Sequence, residues 1–160
     1  MAIDSKHPSY VDQIEDWTLM RDAKAGERAV KAKGQAYLPA TPGQKLDGLD
    51  SPDKPGYVAY QNYKMRAVFP DFVDDAVKTY LGLLHQKPAT FELPAAMEPL
   101  LTKATNQGES LLALLRRINE EQLTTGRIGI MLDLPPVPDP SNPLPYITTY
   151  NVESLINWDE

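Results

Sequence analysis

The chain has 160 residues, 42% hydrophobic and 24% charged, so it can bury one core of ordinary size and does not have the composition of a disordered chain. Its formal net charge of −6 argues against a protein that binds nucleic acid by neutralising phosphates. Any contact with DNA would therefore be local, or would not involve tight binding. The absence of cysteine excludes disulfides, a thiolate nucleophile and cysteine-ligated metal centres. No apolar run has the length of a signal peptide core or a membrane span, and we expect a soluble protein.

The first segment, residues 1–38, is predicted to be helical. Tyr10, Ile14 and Trp17 recur at helical spacing, and the helix they define is expected to reach about Lys24. A further helical turn or two should follow before the segment becomes irregular.

The second segment, residues 39–56, is rich in proline and glycine and is predicted to be an exposed loop. Asp47, Asp50 and Asp53 recur there at every third residue, whereas a calcium-binding loop needs ligands at alternate positions. We therefore interpret these carboxylates as solvated and predict no metal site.

The third segment, residues 57–125, is predicted to be a helical region. Tyr60 and Tyr63 lie on one side of its first helix, and Pro70 should end that helix and begin or kink the next one. The apolar face expected for this next helix consists of Val73, Ala76, Val77, Tyr80, Leu81 and Leu84.

The same region is expected to contain a short strand, KPATFELP, then a brief helix, and then the clearest helix of the chain. The apolar face of that last helix consists of Leu111, Leu114, Leu115 and Ile118. Gly126 should end it, because glycine readily takes the left-handed conformation found after helices.

The last segment, residues 126–160, is predicted to be a pair of strands with a proline-rich connector and a terminal helix. Ile128, Ile130 and Leu132 alternate along the first strand, RIGIMLDL, and should share a buried face. The second strand is YITTYN, and the terminal helix, VESLINW, carries Trp158.

This order of elements predicts an α+β fold, with a mainly helical N-terminal part followed by a small β-sheet. Large apolar and aromatic side chains should fill the core or a subunit interface. The candidates are Trp17, Tyr60, Tyr63, Leu111, Leu114, Leu115, Ile118 and Trp158.

Asp133 is the residue most open to a chemical interpretation, because it ends an apolar strand. A small carboxylate-dependent hydrolase would need a second carboxylate or a histidine near it, and no partner stands at a recognisable spacing. A carboxylate that caps the following turn is the commoner arrangement. The two histidines, His7 and His85, form neither a metal pair nor part of a catalytic triad signature, so we predict no catalytic residue and no cofactor.

The proline run after this strand has the spacing of a polyproline II docking motif at Pro135 and Pro138, which leaves an interaction adaptor as a second alternative. Its nearest charges are acidic, whereas such motifs usually carry a basic residue. A rigid connector between two strands is the preferred interpretation. The compact basic group of Arg116, Arg117 and Arg127 is explained by salt bridges more simply than by phosphate contact.

Several segments, taken in order, resemble the N-terminal part of portal-type proteins of tailed bacteriophages. The matching motifs are Tyr57, Tyr60, Met65-Arg66-Ala67 and Phe69-Pro70, then VDDAVKTYLGLLHQKPATFELP, GESLLALLRRINEEQLTTGRIGIMLDLP and PYITTYNVESLINW. Each motif alone has low specificity, and their order along almost the whole chain carries the resemblance. It covers only the beginning of the family's pattern, so we expect the pattern to continue beyond residue 160.

The resemblance implies a structural role. A portal is a ring, usually a dodecamer, at one capsid vertex of the virion, and it is assembled in the host cytoplasm. Double-stranded DNA passes through it, driven by the large terminase subunit, and the ring contacts the major capsid protein and the head–tail adaptor proteins. The family has no catalytic residues and no cofactor, and its N-terminal region contributes to the outer wing.

Overall fold

The computed structural model describes residues 5–134 and 145–158, so Pro135 and Pro138 of the proline run lie outside the described residues. The α-helices in the described ranges are α1 (Pro8–Lys24), α2 (Glu27–Ala32), α3 (Pro42–Leu46), α4 (Pro55–Arg66), α5 (Phe72–Leu84) and α6 (Leu111–Thr125). Short 3-10 helices are formed by Gly34–Ala36, Ala95–Leu101 and Val152–Ser154. Strands β1 (Ile128–Asp133) and β2 (Tyr146–Asn151) pair antiparallel, and the predicted α+β class is confirmed.

The chain divides into two compact units. One consists of Met1–Met20 together with Ala76–Glu160, and the other of Arg21–Asp75. Each unit has buried aromatic residues, which are Tyr10 and Trp17 in the first and Tyr60 in the second.

In the unit Arg21–Asp75, the segment predicted to be a loop contains helix α3. A capping box begins this helix: the Thr41 hydroxyl accepts from the Gln44 backbone N–H at 3.4 Å, and the Gln44 side chain accepts from the Thr41 N–H at 2.9 Å. Pro42 follows at the first helical position, where its fixed φ suits a helix. These local signals make a helix of five residues where composition alone indicated a loop.

Gly56 allows α4 to begin directly against α3. A Cβ at this position would lie 2.1 Å from the Gln44 carbonyl oxygen and 2.6 Å from the Gly48 carbonyl oxygen. Because both atoms belong to the backbone, no side chain fits there without moving the chain. The glycine therefore sets the close approach of the two helices.

Tyr60 is the buried aromatic residue of α4. Its hydroxyl donates to the Leu38 carbonyl at 3.0 Å, and burial raises the pKa of this phenol. The Tyr63 ring lies one turn further along, with its centroid 6.3 Å from that of Tyr60. The two tyrosines thus share one side of α4.

In the other unit, the core surrounds Tyr10 and Trp17 of α1. Their rings meet edge to face at 5.7 Å, and the Tyr10 hydroxyl donates to the Glu153 carbonyl at 3.1 Å. The apolar side chains packed with them are Ile14, Val152, Ile156 and Trp158. The amphipathic face of α1 therefore packs on the segment that follows β2.

The predicted terminal helix is absent. Val152–Ser154 forms one 3-10 turn, and residues 155–158 have no regular structure. The His7 backbone N–H donates to the Ile156 carbonyl at 2.9 Å, and the His7 ring stacks on Trp158 at 4.2 Å. These contacts with the start of the chain hold the segment in an irregular path, so the helical periodicity of VESLINW was misleading.

The predicted strand KPATFELP is also wrong. Residues 88–94 have no regular structure, and β1 and β2 pair only with each other in the described part of the chain. Prolines at both ends remove backbone donors, so this segment has little capacity to join a ladder.

Helix α6 has the ends that its sequence predicts. The Ser110 hydroxyl accepts from the Ala113 N–H at 3.3 Å, and Gly126 closes the helix with φ of 77° while its N–H donates to the Gln122 carbonyl. Leu114 is almost fully buried. The other predicted core residues of this helix, which are Leu111, Leu115 and Ile118, are half-buried.

Two predicted apolar faces are exposed where burial was expected. In α5, Val77 and Leu81 are buried, but Tyr80 and Leu84 are exposed. In β1, the face predicted to be buried is largely open to solvent, because the two-stranded sheet has no layer covering that side among the described residues.

Candidate functional site

Asp133 lies where β1 and β2 leave the sheet. One carboxylate oxygen accepts from the Leu134 backbone N–H at 2.8 Å, and the other accepts from the Tyr146 hydroxyl at 3.0 Å. The hydrogen bond to Asp133 is the main reason that the pKa of Tyr146 is raised. Neither partner is a carboxylate or a histidine, so this geometry holds the two strand ends together and does not favour acid–base hydrolysis.

The acidic loop and the histidines do not form a metal centre. In the ranges the structure describes, no group of three or more histidine, aspartate or glutamate side chains could hold a metal ion. His85 instead meets the Asn119 side chain, with 3.0 Å between the His85 Nε2 and the Asn119 Nδ2.

Arg117 and Arg127, two members of the basic group predicted to form salt bridges, make contacts of different kinds. Arg117 forms a salt bridge with Glu109, with 2.8 Å between the nearest nitrogen and oxygen, and this contact is the main reason that the pKa of the guanidinium is raised. A second Arg117 nitrogen donates to the Thr149 hydroxyl at 2.6 Å. Arg127 lies over the Trp158 ring, with its guanidinium carbon 4.1 Å from the ring centre.

A cleft of about 730 Å³ lies beside Arg117, between the loop 105–109 and strand β2. The walls are tied together by backbone: the Ala104 N–H donates to the Glu109 carbonyl at 2.7 Å, and the Ile147 N–H donates to the Ala104 carbonyl at 2.8 Å. Because Glu109 and Thr149 already engage the guanidinium, this cleft is not preorganised for a phosphate. Its contacts fasten the loop to the outer edge of β2.

The described surface carries two apolar features that the sequence did not predict to be exposed. The first, called here the α5 patch, consists of Tyr80, Leu83 and Leu84, whose side chains are 59–62% exposed. The second, called the β1 stripe, consists of Ile130 and Leu132 on one face of β1 and of Leu134 directly after the strand, and these residues are 58–63% exposed.

Both features place several large apolar side chains next to one another. Residues three and four apart on a helix are neighbours, as are alternate residues on one face of a strand. Grouped apolar side chains of this kind are typical of protein–protein contact surfaces, whereas single exposed ones are not. They are therefore the strongest candidates for a functional surface.

One sequence signal could have revealed the α5 patch. The apolar residues of α5 surround more of the helix than a single buried stripe requires, since Leu83 extends them beyond the face of Val77 and Leu81. No comparable signal distinguishes the β1 stripe, because an alternating strand reads the same whether its apolar face is covered or open.

The eight predicted core or interface residues are divided between the two units. Tyr60 and Tyr63 belong to the unit Arg21–Asp75, and the remainder belong to the other unit. Trp17, Tyr60 and Leu114 are buried, and the other five are half-buried. Trp158 packs against the cluster that contains Trp17.

A comparison with models of known protein families gives no match, and a comparison with curated proteins finds no relative. Across residues 5–134 and 145–158, no helix combines the length and the apolar character needed to cross a membrane. A functional proposal therefore depends on the surface and the motifs of the chain itself.

Proposed function

We propose that this chain is a structural subunit, which acts by assembling with copies of itself and not by catalysis. The α5 patch is the observation that carries this proposal. Its three large apolar side chains project from the C-terminal half of α5 and stay exposed, although Val77 and Leu81 of the same helix are buried. Each side chain of this size contributes roughly 1.5–3 kcal/mol when it is fully removed from water, so covering the patch favours association.

More specifically, we propose the subunit of a bacteriophage portal, the ring, usually of twelve subunits, at the capsid vertex of the virion. The order of the motifs from Tyr57 to Trp158 supports this proposal. In this role the ring would contact the major capsid protein, the head–tail adaptor proteins and the large terminase subunit. It would act in genome packaging, ejection and tail attachment.

The charge of the chain suits a conduit for double-stranded DNA. With a net charge of −6, the chain repels phosphates on average, so a duplex can slide past it without being held. The engaged guanidinium of Arg117 fits the same role, because its hydrogen bonds go to Glu109 and Thr149.

The test is assembly of the full-length protein, followed by mass photometry and negative-stain electron microscopy. We expect closed rings for the unmodified protein. The double substitution Leu83→Glu/Leu84→Glu should abolish them, because two added charges per subunit would have to be desolvated in the contact.

The matched control is Leu46→Glu/Met65→Glu, which adds the same charge at two exposed apolar positions outside the α5 patch. This variant should still form rings. Monomers under all conditions for the unmodified protein would overturn the ring, and unchanged assembly of Leu83→Glu/Leu84→Glu would overturn the role of the α5 patch.

A further inference from the structure

The backbone of β1 presents a row of hydrogen-bonding groups on the side away from β2. The Ile147 N–H points away from β1, since it donates to the Ala104 carbonyl. Leu132 lies opposite Ile147, so the two form a non-hydrogen-bonded pair and the backbone groups of Leu132 also point out of the ladder. By alternation, the N–H and C=O groups of Ile130 and Ile128 point to the same outer edge.

This outer edge of β1 is open in the described part of the chain. The sheet there has only two strands, and side chains on both faces of β1 are exposed, with Ile130 on one face and Met131 on the other. From Ile128 to Leu132 the edge has neither a charge nor a proline, the usual protections against pairing with another chain. An open apolar edge of this kind is a template for a further strand.

We propose that β1 pairs with β1 of a second copy of this chain, antiparallel and about a two-fold axis at Ile130. Ile130 then lies opposite Ile130 of the second copy, and Ile128 lies opposite Leu132. These residues all direct their backbone groups outward, so the three pairs exchange about six hydrogen bonds. The result is a four-stranded antiparallel sheet with β2 of each copy at its two outer edges.

The charged residues on either side of the paired segment, Arg127 and Asp133, favour the register centred on Ile130. Arg127 and Asp133 are equidistant from Ile130, so each Arg127 lies opposite an Asp133 of the second copy at both ends of the pairing. A parallel arrangement in register would place Arg127 beside Arg127 and Asp133 beside Asp133. A shift by two residues would break both ion pairs.

Both charged groups retain capacity for this contact. The guanidinium of Arg127 lies over the Trp158 ring, with its carbon 4.1 Å from the ring centre, and a contact with a ring face leaves N–H donors available for a carboxylate. Each Asp133 oxygen accepts one of the hydrogen bonds described above, and a carboxylate oxygen can accept two. The ion pair therefore forms without displacing the contacts within the subunit.

The pairing does not depend on the proposed ring. It is isologous, with the same surface used by both copies, whereas neighbours in a closed ring meet head to tail. It therefore joins copies that are not neighbours in one ring. Measuring it in the Leu83→Glu/Leu84→Glu background separates the two kinds of association.

The test is sedimentation equilibrium of two charge-reversal variants in that background, Arg127→Asp and Asp133→Arg. Each variant alone places like charges at both ends of the pairing, so its dimer dissociation constant should rise by about tenfold or more. An equimolar mixture should regain association as a heterodimer, because opposite charges then face each other at both ends. Circular dichroism verifies that each variant is folded.

A second variant tests the same axis without altering charge. The chain has no cysteine, so Ile130→Cys introduces a single thiol, and paired residues at this position lie about 5.5 Å apart between Cα atoms, within the range of a disulfide. Mild oxidation should cross-link this variant, whereas Thr148→Cys on β2 should pair through β1 but should not become cross-linked. Monomers at every concentration, no cross-linking of Ile130→Cys, or a mixture that associates no better than its components would overturn the pairing.

Discussion

Leu114 and Leu112 lie two positions apart in α6 but on different faces. Leu114 is 1% exposed and Leu112 is 40% exposed. Leu114→Ala should lower the free energy of unfolding by about 2–5 kcal/mol, because it removes buried methyl groups and leaves a cavity. Leu112→Ala in the same helix is the control and should cost less than about 1 kcal/mol. Urea denaturation followed by circular dichroism measures both, and equal costs would contradict the observed face of α6.

The hydrogen bond from Tyr146 to Asp133 should make the stability of the folded protein depend on pH. Its pKa is raised above the ordinary 10.0 because it donates to Asp133, and ionisation of the phenol removes that bond. The folded state therefore holds the proton more tightly than the unfolded state. This stabilisation is fully present below pH 10.0 and is lost as pH rises through the folded pKa.

Replacing Asp133 by alanine should return the pKa of Tyr146 towards its ordinary value. Titration of the Tyr146 ring carbon by NMR measures the change directly in the folded protein. A pKa that is unchanged in Asp133→Ala would show that the contact between the two strand ends does not persist in solution.

Replacing glycine by alanine should have opposite effects on stability at two positions, the end of α6 and the interior of α5. Gly126 ends α6 with φ of 77°, where a Cβ is disfavoured, so Gly126→Ala should destabilise by roughly 1 kcal/mol. Gly82 lies within α5 with no atom near the position of a Cβ, so Gly82→Ala should stabilise by roughly 0.5–1 kcal/mol. Thermal unfolding should show shifts of opposite sign, and shifts of the same sign would contradict these two helical contexts.

The helices also show which signals in the sequence are dependable. The ends of α6 follow from Ser110 and Gly126, which act on the backbone directly next to them. Helix α3 was missed in a segment rich in proline and glycine, although Thr41, Pro42 and Gln44 are an adequate local signal. In both cases the physical cause is local, so it can be read from a few neighbouring residues.

The charge of the whole chain predicts weak contact with DNA. At a net charge of −6, the chain should show no measurable binding to a duplex in about 0.15 M salt by fluorescence polarisation. Replacing Asp47, Asp50 and Asp53 by lysine brings the net charge to zero and should add weak, salt-sensitive binding. Tight binding by the unmodified chain would instead reveal a local DNA site that the net charge does not indicate.

For the whole molecule, the candidate surfaces could not be predicted from the sequence. Periodicity tells which residues share a face of α5 or β1, but it does not tell what covers that face. Tyr80 and Ile130 were predicted to be buried on this basis, and they are exposed because the described chain places no layer over them. By contrast, the structural role of Asp133 followed from its position at a strand end and the lack of a carboxylate partner.

The sequence by itself determined the α+β class, the two strands, the main helices and the residues that end α6, because these depend on local periodicity and capping. Only the tertiary structure decided that VESLINW is not a helix and that the β1 stripe is open. The first outcome depends on contacts of His7 with Ile156 and Trp158, about 150 residues apart in the sequence, and no local pattern encodes such contacts. The second depends on what lies above a sheet, which only the packing of the whole chain decides.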